Sequence, residues 1–140
     1  MANEATLLKE TALPVSFTVA EGAGIEKGAI LKLTDPMTAA LADGDEDDVA
    51  GIAAEEKIAS NGQTKLAVYR QGEFKVTASG SITAGDTVAT HASSGGSNVV
   101  AVATASAVGG KTLGIALETV SEGETFRMEL RPGCNNQAYS

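Results

Sequence analysis

Apolar and polar residues alternate with a period of two along much of this chain. Val15-Ser16-Phe17-Thr18-Val19 and Phe126-Arg127-Met128-Glu129-Leu130 carry an apolar side chain at every second position. That is the pattern of a strand with one face buried. Segments 29–33, 37–41, 66–69, 74–76, 87–89 and 98–104 read as further short strands. Segments 49–59 and 112–120 are apolar almost throughout, so period alone cannot sort them. An internal glycine in each, Gly51 and Gly114, decides for strand. Turn chemistry separates these runs: Glu21-Gly22-Ala23-Gly24, Asp35-Pro36, Asn61-Gly62, Ser93 to Ser97, Gly109-Gly110, Glu122-Gly123 and Pro132-Gly133. No segment shows a capped helical stripe. About ten short strands at regular spacing predict an all-β fold, a small barrel or sandwich.

The elements come twice. Ile25-Glu26-Lys27-Gly28 is echoed by Ile82-Thr83-Ala84-Gly85, 57 residues on, and Gly51-Ile52-Ala53 by Gly114-Ile115-Ala116, 63 residues on. Asn61-Gly62-Gln63-Thr64 aligns with Glu122-Gly123-Glu124-Thr125, and Tyr69-Arg70-Gln71-Gly72 with Leu130-Arg131-Pro132-Gly133, both at an offset of 61. The repeated residues are turn glycines and strand apolars, so the duplication describes scaffold. It predicts two related halves closing one core. The expected organisation is an extended N-terminal arm at 1–14 and a single β domain at 15–133. That domain carries repeats at about 22–72 and 79–133, and a tail follows at 134–140. Gly51 and Gly114 are expected to be equivalent strand positions where backbone approaches too closely for a side chain.

Composition narrows the function. The chain has 140 residues, 43% hydrophobic but only 4% aromatic, with no Trp. Its core must therefore be filled by Ala, Val, Ile and Leu. Eighteen acids against ten bases give a net charge of −8, which argues against a nucleic-acid partner or an anionic membrane. The single cysteine, Cys134, implies no internal disulfide. Met1-Ala2-Asn3-Glu4 has neither the basic start nor the apolar run of a signal peptide, so synthesis in a cytoplasm is expected.

Candidate chemistry is thin. His91 is the one histidine, and no nucleophile-elbow pattern accompanies it. Cys134 lies in a tail without a base in sequence proximity. The acidic run Asp43 to Asp48 departs from the EF-hand order and reads as a solvated loop. Ser94-Gly95-Gly96-Ser97 lacks the Lys-Ser/Thr ending of a phosphate loop. Glu55-Glu56 and Glu118 sit just after the repeated Gly-Ile-Ala, at the exposed ends of duplicated strands. Lys65 and Lys111 lie near turns, without the motif of a carrier lysine. The expectation is a protein without catalysis, cofactor or metal.

Three features carry a family resemblance. They are Ile-x-x-Gly before a short apolar strand, the Gly-Ile-Ala-x-Glu strand (Gly51 to Glu55, Gly114 to Glu118), and a hairpin into a last strand ending at Gly72 or Gly133. Over roughly 15–133 the chain resembles the head decoration (capsid cement) proteins of tailed bacteriophages. The resemblance implies a small β-barrel on the outer capsid surface of the virion, assembled as a homotrimer and bracing the major capsid protein. It also implies that an N-terminal arm touches the shell, here through Thr6, Leu7, Leu8, Lys9 and Thr11. The arm holds too few apolar residues to fold alone and is expected to order on the shell. A ligand-binding or carrier barrel of an enzyme complex is the alternative.

Overall fold

The computed structural model describes residues 5–91, 99–104 and 109–134. The expected turn at 93–97, residue 98 of an expected strand and the tail from 135 lie outside the described residues. Eleven strands are present among them: β1 (Thr6–Lys9), β2 (Val15–Thr18), β3 (Ile30–Asp35), β4 (Thr38–Leu41), β5 (Val49–Ala53), β6 (Lys65–Tyr69), β7 (Gly72–Ala78), β8 (Thr87–Thr90), β9 (Val99–Val102), β10 (Gly114–Ala116) and β11 (Thr125–Leu130). The described helical content is one 3-10 turn, Gly109–Lys111. The fold is all-β and built from two related halves, as the doubled landmarks imply.

Each half closes a barrel of its own. The first runs β2-β4-β3-β5-β6; the second runs β7-β11-β10-β8-β9 and is closed by a parallel pair between β7 and β9. The connections match strand for strand. β2 runs antiparallel to β6 and parallel to β4, as β7 does to β11 and β9. Even isolated bridges repeat, Ile25 with Lys57 and Ile82 with Val120.

The expected single core is thus two clusters in contact. Leu31, Ala50 and Ala53 point into the first barrel with Phe17, Leu66 and Val68. Their neighbours Ile30, Val49 and Ile52 point the other way, into a cluster with Phe74, Val76, Phe126 and Met128. All five residues of β5 are buried. This explains why segment 49–53 shows no alternation: both of its faces lie against apolar neighbours.

Three expectations need correcting. The last strands of the halves align at an offset of 60. Tyr69 lies opposite Ile52 and Glu129 opposite Ile115. The turn glycines Gly62 and Gly123 do hold equivalent positive φ values, 85° and 86°, but the first half has one more residue between turn and strand. The segments expected at 49–59 and 112–120 end as strands at Ala53 and Ala116. Beyond them a side chain replaces the ladder: Glu55 accepts the Ala67 amide, and Glu118 the Arg127 amide, each at 2.9 Å. Finally, Thr6–Lys9 is already a strand within its own molecule. It pairs with β7, while Ala5 is buried and donates its amide to Gly28 O at 2.9 Å. β9 covers only Thr77 and Ala78 of β7, which leaves that edge open to β1.

Two positions generate tests of this frame. A Cβ on Gly51 would land on the carbonyl oxygen of Tyr69, and one on Gly114 on that of Glu129. These are the equivalent close approaches anticipated from the repeat. Gly51→Val and Gly114→Val should each destabilise by about 2 kcal/mol or more in chemical denaturation; a neutral pair of variants would refute the register.

Lys57 is fully buried, and its ammonium donates to the carbonyls of Glu21 and Ala23, both at 2.6 Å. The second half has Val120 at that bridge. Lys57→Met keeps the volume but removes both bonds; the Glu21 carbonyl still accepts the Ser60 amide at 3.0 Å, while the Ala23 carbonyl loses its ammonium donor, so a loss of about 1–2 kcal/mol is expected by the same measurement.

Candidate binding surfaces

The chemistry-bearing side chains serve as fasteners. In the acidic loop, Asp47 Oδ2 accepts the amides of Asp43 and Gly44 at 3.0 and 2.9 Å. Thr90 Oγ1, from the other half, accepts the Asp47 amide at 2.8 Å and donates to Gly44 O at 2.9 Å. Glu46 accepts the Thr104 amide at 2.7 Å. Asp43 meets Lys32 at 2.7 Å and Asp48 meets Lys111 at 3.5 Å. The Lys32 hydrogen bond holds the Asp43 carboxyl below its ordinary range, and the same bond raises Lys32. Among the described residues no group of three or more His, Cys, Asp or Glu is placed to hold a metal ion.

His91 Nε2 lies 3.3 Å from Ser79 Oγ, so a serine does stand beside the histidine. Ser79 follows β7 in a bend, and its amide donates to Val100 O at 2.7 Å. The contact links the end of β7 to the end of β8. Cys134 is half-buried, and its carbonyl accepts from Thr112 Oγ1 at 2.9 Å. Lys65 donates to Thr18 Oγ1 at 2.9 Å.

The arm residues named from sequence come together on one strand. Thr6, Leu7, Leu8 and Lys9 are all exposed in β1, and Thr11 follows, also exposed. Leu7 lies opposite Phe74, so alternation puts Leu8 on the outer face of the sheet, and the register shifts between Leu7 and Lys9. There it borders a shallow hollow of about 360 Å³ with Lys75, Glu118, Thr125 and Arg127. Arg127 pairs with Glu73 at 3.5 Å across that face. Beyond the strand, Tyr69 is held above the ordinary phenol range, first by burial and then by the Glu10 carboxylate beside it.

A second surface went unread in the sequence. At one end of the first barrel a cavity of about 560 Å³ opens among Leu13, Val15, Phe17, Leu33, Met37 and Arg70. Leu13 is 79% exposed and Met37 52%, high values for such side chains. Val15 was read as one of the alternating apolar positions of a half-buried strand, but it is exposed, as is Leu33. Alternation carried no sign that β2 meets β4 only through Thr18 and Thr38, which leaves this end of the barrel splayed. The result is a contiguous exposed apolar patch around a hollow.

The family model for phage cement proteins matches residues 9–132. The chain belongs to that family and is thereby a capsid-associated structural protein of a phage. No curated protein matches it. Among solved structures, the fold is similar to the head fiber gp8.5 N base of bacteriophage phi29. The TM-score is 0.53 at 18% identity, over 86% of this chain and 98% of that one.

Whether the Ser79–His91 contact is purely structural is testable. Ser79→Ala with His91→Ala should leave attachment to heads unchanged in a folded variant. Abolished function with an intact circular dichroism spectrum would reveal chemistry at this pair.

Proposed function

We propose that this protein decorates the outer surface of a phage head without catalysis, stabilising contacts between major capsid protein subunits as a homotrimer. It would be made in the host cytoplasm and added to the shell. The observation that carries this reading is β1 in a chain of the cement family: four consecutive exposed residues, Thr6 to Lys9, with two neighbouring leucines, on the border of a sheet. Leucines on an exposed border strand are costly to leave in water and are managed in soluble proteins by burial against a partner. The outer face beside Leu8 adds Lys75 and Arg127, cations on an otherwise acidic molecule. Thr6, Leu7, Leu8, Lys9 and Thr11 are the proposed shell-contacting set. Apolar anchoring through Leu8 supplies affinity, and the flanking charges supply orientation.

Cosedimentation with purified heads lacking the protein tests this directly. Leu8→Glu should leave the melting temperature nearly unchanged, because the side chain is exposed, while weakening attachment at least about tenfold. Deleting residues 2–12 is a blunter probe. It removes the buried Ala5 and the β1–β7 pairing, so it should lower stability as well as attachment. Full attachment by folded Leu8→Glu would place the shell contact elsewhere.

A further inference from the structure

The halves are equivalent strand by strand, yet one slot filled in the second half stands open in the first. In the second barrel β9 covers only Thr77 and Ala78 of β7, and β1 takes the rest of that edge, setting Leu7 against Phe74 and Thr6 against Lys75. The counterpart of Phe74 is Val15. Val15 pairs with Val68 and Phe74 with Met128, and those partners lie opposite Ala53 and Ala116 in turn. β4 reaches β2 only at Thr18. Among the described residues no strand lies along the edge of Val15 to Phe17 that faces away from β6. Where the second half holds β1, the first half has the apolar cavity of about 560 Å³.

An open strand edge beside an apolar hollow is the arrangement to which an extended segment adds, with main-chain bonds along the edge and alternate side chains in the hollow. This chain carries a segment that fits such a slot. β1 pairs with β7 alone among the described strands, so its outer edge is open too. Each molecule thus presents one donor edge, β1, and one acceptor edge, β2. The acceptor also suits a second copy electrostatically. Its lining holds no carboxylate although the chain carries −8. Its one charged residue, Arg70, turns a guanidinium nitrogen to the carbonyls of Val49 and Ala50 at 3.2 and 2.9 Å.

We propose that the outer edge of β1 in one molecule adds to the open edge of β2 in a second copy, covering the apolar mouth of its first barrel. The sheet then continues across the boundary as β7, β1, β2 and β6. Donor and acceptor are different surfaces, so the contact is heterologous, the kind that closes copies into a ring when the rotation between neighbours is a whole fraction of a turn. This supplies an interface for the trimer of the proposed function, and it rests on that reading only for the number of copies. One such contact is short and weak; a closed ring gains because its last contact forms within the assembly. Shell contact uses the outer face at Leu8, so the two roles of β1 are compatible.

The test uses the full chain with Cys134→Ala, so that engineered thiols are the sole ones. Leu8→Cys and Ser16→Cys proteins are mixed and treated with a short bis-maleimide. A mixed Leu8–Ser16 product in excess of either self-product supports the proposal. A dominant Ser16–Ser16 product, or no product at concentrations where the protein self-associates, overturns it. Separately, Leu13→Glu with Met37→Glu changes two exposed side chains and should weaken self-association at least about tenfold by sedimentation velocity, with an unchanged circular dichroism spectrum. Undiminished self-association overturns the proposal. Mixed crosslinks without attachment to heads would sink the shell reading alone, and attachment without mixed crosslinks would sink this one alone.

Discussion

Strands β3 and β5 send alternate side chains into two cores, so that the first barrel is built around one set and plugs the second barrel with the other. Ile30, Val49 and Ile52 are essentially fully buried in the shared cluster, and each contributes about 1.5–3 kcal/mol relative to exposure. The arrangement also sets a polarity. The second barrel receives the first half at its open end: the acidic loop docks on Thr90, and β1 on the edge of β7. Among the described residues the first barrel has no such neighbour. Its corresponding end is left with Leu13, Val15, Leu33 and Met37 around a hollow. A tandem duplication that packs head to tail leaves one unsatisfied end, and that end follows from the fold.

Much of this frame could be read from residue order, for identifiable reasons. Turn glycines and period-two alternation are local signals, and they place β2, β3, β4, β6, β7, β8 and β11 closely. Gly51 and Gly114 could be matched because a shared close approach leaves a shared glycine. What could not be read depends on partners distant in sequence. Segment 49–53 looks ambiguous because its second face meets residues of the other half. Thr6–Lys9 looks like a loose arm because its pairing partner lies near residue 74. Lys57 resembles any surface lysine until the turn at 21–23 wraps its ammonium in carbonyls. The candidate surfaces divide in the same way. Leu7 and Leu8 were visible as neighbouring apolars in a polar lead-in, whereas the open mouth exists only because two strands diverge after a single pairing.

The acidic character of the chain bears on how such surfaces work. Several carboxylates are committed to main-chain amides: Asp47 and Glu46 within the clasp, Glu55 and Glu118 at the strand ends. The Lys32–Asp43 pair is exposed and contributes little to stability. A net charge of −8 nevertheless remains over the surface. Between copies it repels at long range but is screened within about 8 Å at physiological salt. Apolar contact at the carboxylate-free mouth acts only at shorter range. In solution the repulsion slows encounter and weakens each contact, so self-association there needs a higher protein concentration. On a shell, attachment at the Leu8 face would gather copies at high local concentration. The same weak contact then becomes effectively intramolecular, and its apolar part outweighs the screened repulsion. In the proposed role, negative charge and a weak open edge are therefore complementary: together they favour association on the head over association in solution.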